Sequence, residues 1–147
     1  MSKQAAKPSV VYVTHIRTTP KKLWMALTSG RYLQQYWYGR RFRTSWQVGS
    51  PMQVLTPDGK LDWDGKVLVY DPPRQLSYTF QIMGYMKKSS RVVFDLAKQG
   101  AVVKLTVTHY DVERRCVAGT SAAWPAFCST IKSLLETGKP LPLQGWA

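Results

Sequence analysis

The chain has 147 residues, 44% of them hydrophobic, which is apolar content for one core and too little length for several domains. The first apolar run, Val10 to Val13, is four residues long and no stretch approaches the roughly 18 of a membrane span or forms a signal-peptide core, so a soluble cytoplasmic protein is expected. The net charge of +13, from 21 Lys and Arg against 8 Asp and Glu, falls in doublets such as Lys21-Lys22 and Arg40-Arg41, so it attracts anions without marking a site.

Residues 1–9 are polar and without pattern, and read as a tail before a first strand at 10–16. Thr19 and Pro20 open a helix, the hydroxyl as cap and the proline at a position whose N–H has no helical partner. Leu23, Trp24 and Leu27 give it an apolar stripe. After Ser29-Gly30, Tyr32, Leu33, Tyr36 and Trp37 repeat at helical spacing up to Gly39, which predicts a second short helix. Turn clusters then divide strand-like sequence into segments at about 42–46, 51–56, 61–71, 75–82, 89–97 and 101–110.

Alternation puts Asp62, Asp64 and Lys66 on one face of the third of these, with Trp63, Gly65, Val67 and Val69 on the other. In the last strand Val103, Leu105, Val107 and His109 share a face. Trp124, Phe127, Ile131, Leu134 and Leu135 then step by three or four along a closing helix stopped by Gly138 and Pro140. Pro125 belongs near a helix start, so residues 113–123 read as a loop or separate turn. The single domain spans 10–142, and 143–147 is a second tail. A sheet followed by one long helix encloses a cavity, and cavities hold ligands.

Catalytic chemistry finds few carriers. His15, His109, Cys116 and Cys128 have no metal-ligand spacing, and the two cysteines are expected to be free thiols, so neither metal nor cofactor is expected. Asp62 and Asp64 share a face that reads as solvated, which fits strand decoration better than a catalytic carboxylate pair. Arg114 and Arg115 would favour a thiolate at Cys116, with no partner motif beside it. There is no GxGxxG, P-loop, nucleophile elbow or HExxH.

The segments VYVTHIRTTPKKLWMALT, QYWYGRR, SWQVGSPM, DPPRQLSYTF, SRVVFDL, VKLTVTH and WPAFCSTIKSLLETGKPLP, in this order, resemble the homologues of the activator of heat-shock-protein-90 ATPase, within the START-related SRPBCC superfamily. The resemblance covers about residues 10–142. It implies an α+β helix-grip fold: a curved antiparallel sheet around the C-terminal helix, with two short helices after the first strand. The chain departs from the family's pattern at Lys21, at Ser29-Gly30-Arg31 and at Thr44-Ser45, each a change that removes negative charge.

The function expected is binding of a small hydrophobic or aromatic molecule, lipid-like or polyketide- or flavonoid-like, in the internal cavity. Its expected lining is Trp37, Trp63, Tyr78 and Phe80, with His109 at the end of its apolar row, and Trp124, Phe127 and Ile131 on the closing helix. His109 has two readings there: a core histidine with satisfied nitrogens, or a donor to the ligand. Three other functions stay open. One is a cyclase-like enzyme using His109 or Tyr78, for which no facing acidic partner is placed. Another is nucleic-acid or polyanion binding through YWYGRRFRTSW, where Tyr36, Trp37, Phe42 and Trp46 interleave with Arg40, Arg41 and Arg43. The third is a stress or chaperone partner. Oligomeric state is open.

Overall fold

The computed structural model describes residues 6–143. β1 (Val10–Ile16) leads into α1 (Pro20–Thr28) and α2 (Gly30–Tyr36), after which come β2 (Arg41–Thr44), β3 (Met52–Leu55) and β4 (Leu61–Asp64). β5 (Val67–Asp71), β6 (Gln75–Ile82), β7 (Ser90–Gln99) and β8 (Val102–Tyr110) complete the strands, and a 3₁₀ turn at Arg114–Cys116 runs into α3 (Val117–Thr137). The eight strands form one antiparallel sheet in the order β1-β8-β7-β6-β4-β3-β2, with β5 also pairing with β6. Among these residues no helix is long and apolar enough to cross a membrane.

Local chemistry explains the element ends. Thr19 Oγ1 accepts from the backbone N–H of Lys22 at 3.2 Å, with Pro20 in the first turn of α1. Gly138 sits at φ 83° just past α3 and its N–H bonds to the Leu134 carbonyl, the left-handed stop that glycine makes without strain. Ser9 donates its N–H to the His109 carbonyl and accepts from Val112 N–H, so the anticipated N-terminal tail is already pinned at its last residue. Most of the two anticipated tails lies outside the described residues.

Two expectations are corrected. The segment 61–71 is not one even strand: β4 and β5 both run along β6 but break at Gly65 and Lys66. A second slip between Val67 and Val69 turns Tyr70 toward Trp24, ring centroids 5.2 Å apart, and leaves Val69 opposite Ser77 instead of sharing the face of Val67. Nor are residues 113–123 a loop, because α3 starts at Val117 and carries Pro125 in its interior. The proline deprives the Ser121 carbonyl of a helical donor. Ser121 and Ala122 are exposed, so water can take that place, and the helix is not broken there.

The core lies between the concave face of the sheet and the helices. α3 packs on β1 and presents Thr120, Trp124, Phe127, Ile131 and Leu134 as one buried stripe. This is a helix-grip architecture, as the resemblance implied.

Candidate functional site

The interior divides into a filled part and an open part. In the filled part Tyr78, Phe94, Ile131 and His109 are fully buried, with Tyr78 and Phe94 centroids 5.7 Å apart. The open part is a cavity of about 410 Å³, at the lower end of the size that suits small organic ligands. Its walls carry Trp37, Trp63, Phe80, Trp124 and Phe127. These rings meet largely edge to face: Trp63 on Phe80 at 4.9 Å and 76°, Trp37 on Phe127 at 5.1 Å and 65°, Trp124 on Phe127 at 5.4 Å and 82°. Each ring braces another, so the chamber is framed by rings already packed against their neighbours.

Five of the eight anticipated lining residues therefore stand on the cavity wall, and Tyr78, His109 and Ile131 do not. Tyr78 sits deeper, against Phe94 and Trp46, where burial raises its pKa well above the ordinary tyrosine range. Ile131 lies beneath the wall on α3. His109 lies behind Phe80 and Trp124, at ring distances of 5.3 and 5.8 Å, and has no exposed surface.

Both His109 nitrogens are engaged. Trp124 Nε1 donates to Nδ1 at 3.0 Å, and Nε2 lies 2.6 Å from Ser90 Oγ, which itself donates to the Phe80 carbonyl at 2.8 Å. An indole N–H only donates, so Nδ1 is bare and the ring proton is on Nε2. Burial lowers the His109 pKa to about 4, which keeps the ring neutral. The core-histidine reading is the one this geometry matches. Its effect on the cavity is indirect: it fixes the rotation of the Trp124 indole that forms part of the wall.

The polar part of the wall was not anticipated. Arg40 and Asp62 line the cavity as an ion pair, Nε donating to Oδ2 at 2.5 Å, with the side chains 12% and 19% exposed. Strand alternation had put Asp62 with Asp64 on a solvated face. The register slips where β4 meets β3: Leu55 faces Leu61, Val54 faces Trp63, and Asp62 is the extra residue between them. A bulge of this kind turns consecutive side chains to one side, and it brings Asp62 round beside Trp63. A wide spacing of small or charged residues does not announce such a slip, so only the pairing reveals it.

Tyr85 and Gly119 close one side of the chamber. Tyr85, 38% exposed, stands on the β6–β7 loop, which is tied to the start of α3. Its carbonyl accepts from Arg115, its ring lies under the Arg115 guanidinium at 5.9 Å, and the backbone N–H groups of Lys87 and Lys88 donate to Glu113. A methyl group on Gly119 would come within 2.5 Å of the Tyr85 hydroxyl, so glycine there permits the close approach.

Other candidates do not converge on a reaction centre. Cys116 is buried and Cys128 is also buried, its thiol pushed up to about 12. Among the described residues no group of three or more His, Cys, Asp or Glu is placed to hold a metal ion. The segment read as a stacking platform is folded inward: Tyr36 and Trp37 are buried, and Phe42 and Trp46 pack on each other at 5.1 Å. Trp46 Nε1 donates to the Thr28 carbonyl, and the Tyr36 hydroxyl donates to that of Ala26. Tyr36 and Trp37 thus offer no free face for a base, and Phe42 and Trp46 are partly buried against the core.

Solved structures share the architecture. CalU16 from Micromonospora echinospora superposes with a TM-score of 0.73 at 17% identity, over 90% of this chain and 76% of that one. The Aha1 dimer from Colwellia psychrerythraea gives 0.73 at 22% identity, over 88% and 97%. DynU16, from the dynemicin biosynthetic locus, gives 0.75 at 24% identity over 89% of this chain, which spans 48% of DynU16. At these identities the likeness concerns the fold. No curated protein matches the sequence significantly. Residues 17–136 match the sequence family described as Activator of Hsp90 ATPase homolog 1-like protein, and with most of its length inside that match the chain belongs to this family.

Proposed function

We propose that the protein binds a small aromatic or otherwise hydrophobic molecule in the cavity between β4, β6 and α3. The observation that carries this reading is a chamber of about 410 Å³ walled by Trp37, Trp63, Phe80, Trp124 and Phe127, all members of the buried apolar cluster. Apolar space of that size lined by rings with a few polar groups is what ligand sites offer. That DynU16, which shares the fold, comes from a biosynthetic locus agrees with a small organic occupant. Binding without catalysis is the stronger form, because both nitrogens of His109 are spent inside the core and Tyr78 is away from the chamber.

Native mass spectrometry and a thermal-shift series with flavonoids, acyl chains, sterols and short oligonucleotides test the proposal. An aromatic ligand at 100 times its Kd should stabilise the fold by about 2.7 kcal/mol. The same ligand should not stabilise Ala123→Phe, which places a ring in the chamber from the α3 wall. Stabilisation by oligonucleotides alone, abolished by salt, would reject the cavity reading in favour of a polyanion-binding surface.

A further inference from the structure

We infer that Arg40 and Asp62 decide which occupant the cavity accepts: a neutral molecule that presents a hydrogen-bond acceptor beside a donor, as a primary amide does, in preference to the matching carboxylate. This rests on the cavity-binding reading and narrows it.

The argument starts from what the pair leaves unused. Arg40 engages Asp62 Oδ2 through Nε. Among the described residues no other acceptor bonds the guanidinium, and no donor bonds Asp62 Oδ1. The guanidinium therefore keeps its Nη donors, and the carboxylate keeps an acceptor oxygen next to them. Both side chains are mostly buried, yet neither the Nη atoms nor Oδ1 is a buried atom without a partner, so what exposure they keep lets water bond them and a ligand entering the chamber must replace that water. A ligand edge carrying C=O and N–H satisfies both at once.

Charge sets the preference. Arg40 and Asp62 are the charged side chains of the wall, and they cancel. A carboxylate entering the chamber is drawn to Arg40 and repelled by Asp62, while it gives up its hydration to reach an aromatic interior. An amide of the same shape loses far less on leaving water. The chain's charge of +13 works the other way by attracting anions, but that long-range field is screened within about 8 Å at physiological salt, whereas Asp62 is in the wall itself. The bulge in β4 is what makes the neutral pairing possible, since a regular strand would turn the carboxylate away from Arg40 and leave an unbalanced cation.

The test uses 2-naphthamide and 2-naphthoate, which share one ring system and nearly one shape. Each is titrated into the full-length protein while NMR follows the indole N–H signals of Trp37, Trp63 and Trp124. The amide should bind at least about tenfold more tightly, a difference of about 1.4 kcal/mol. Asp62→Asn should reverse the order by leaving Arg40 unbalanced, and Arg40→Gln should weaken the amide by about tenfold. Equal affinities, or a preference for naphthoate in the wild type, overturn the inference and leave cavity binding standing. No response to either compound overturns both. If Asp62→Asn does not fold, the wild-type ratio and Arg40→Gln decide, and an amide affinity unchanged in Arg40→Gln overturns the assignment.

Discussion

His109 is a neutral ring by construction, and its surroundings make a pH prediction. The groups against it are Ser90, Phe80 and Trp124, with Val10 and Val92 opposite it on the neighbouring strands, none of them charged, so nothing compensates a proton placed on the ring. Its folded pKa of about 4 lies below the ordinary histidine value of 6.5, so the unfolded chain takes up the proton first as pH falls. Stability from this group is fully present above pH 6.5 and is lost progressively down to pH 4. The loss should reach about 3 kcal/mol. Glu136, held low by the backbone N–H of Arg17, begins to matter only below the ordinary value of 4.5, which leaves the window from 6.5 to 4.5 to His109. Urea denaturation at pH 7 and 4.8 checks this, and His109→Gln, an uncharged amide, should flatten the difference. An equal slope in that variant would assign it elsewhere. Sequence phase was enough to bury His109; it gave no access to Ser90 and Trp124, whose partnership is a long-range consequence of strand register and helix docking.

The elements show where periodicity carries and where it stops. β1, α1, α2 and β8 lie close to their expected bounds, because caps and turn residues mark their ends and the β1–β8 and β7–β8 pairings run without a slip. β4 and β5 do not. Each irregularity there shifts the phase of everything after it, so Asp62 arrives at the cavity and Tyr70 at the core, against the simple alternation. Gly65 is the hinge of this region: a Cβ on it would lie 1.8 Å from the Thr79 carbonyl oxygen, a backbone atom in the middle of the sheet. Gly119 presents a softer case, since the obstacle is the hydroxyl at the end of a flexible tyrosine. Gly65→Ala should therefore cost at least about 3 kcal/mol, while Gly119→Ala should cost no more than about 1 and displace Tyr85. Thermal denaturation of both, with hydrogen exchange across residues 83–89 for the second, separates them. A Gly65→Ala protein as stable as the wild type would mean that β6 gives way where the bulge now holds it.

At the scale of the molecule, the order of elements was readable because most boundaries carry a local signal, and five of the wall residues with it, whereas the extent of the void and its polar part were not, because they depend on how side chains from distant segments fail to fill the space between them. Charge is the global property that the sequence states outright. The described residues contain ion pairs at Arg40–Asp62, Lys60–Asp58, Arg74–Asp71, Arg115–Glu113 and Lys132–Glu136, and all but the first have an exposed or half-exposed cation contributing little. With 21 Lys and Arg against 8 Asp and Glu, most cations repel one another, and compaction brings them closer. Salt shortens the range of that repulsion from about 30 Å at 0.01 M to about 8 Å at 0.15 M. Screening should therefore stabilise this fold, opposite to its effect on a surface held by ion pairs. Between those salt concentrations Tm should rise by about 2–4 °C, equivalent to about 1 kcal/mol for a domain of this size. Binding of short oligonucleotides should fall steeply over the same range, and binding of a neutral aromatic amide should not move. A Tm that falls with sodium chloride would show that the few acidic residues neutralise their surroundings more completely than their number suggests.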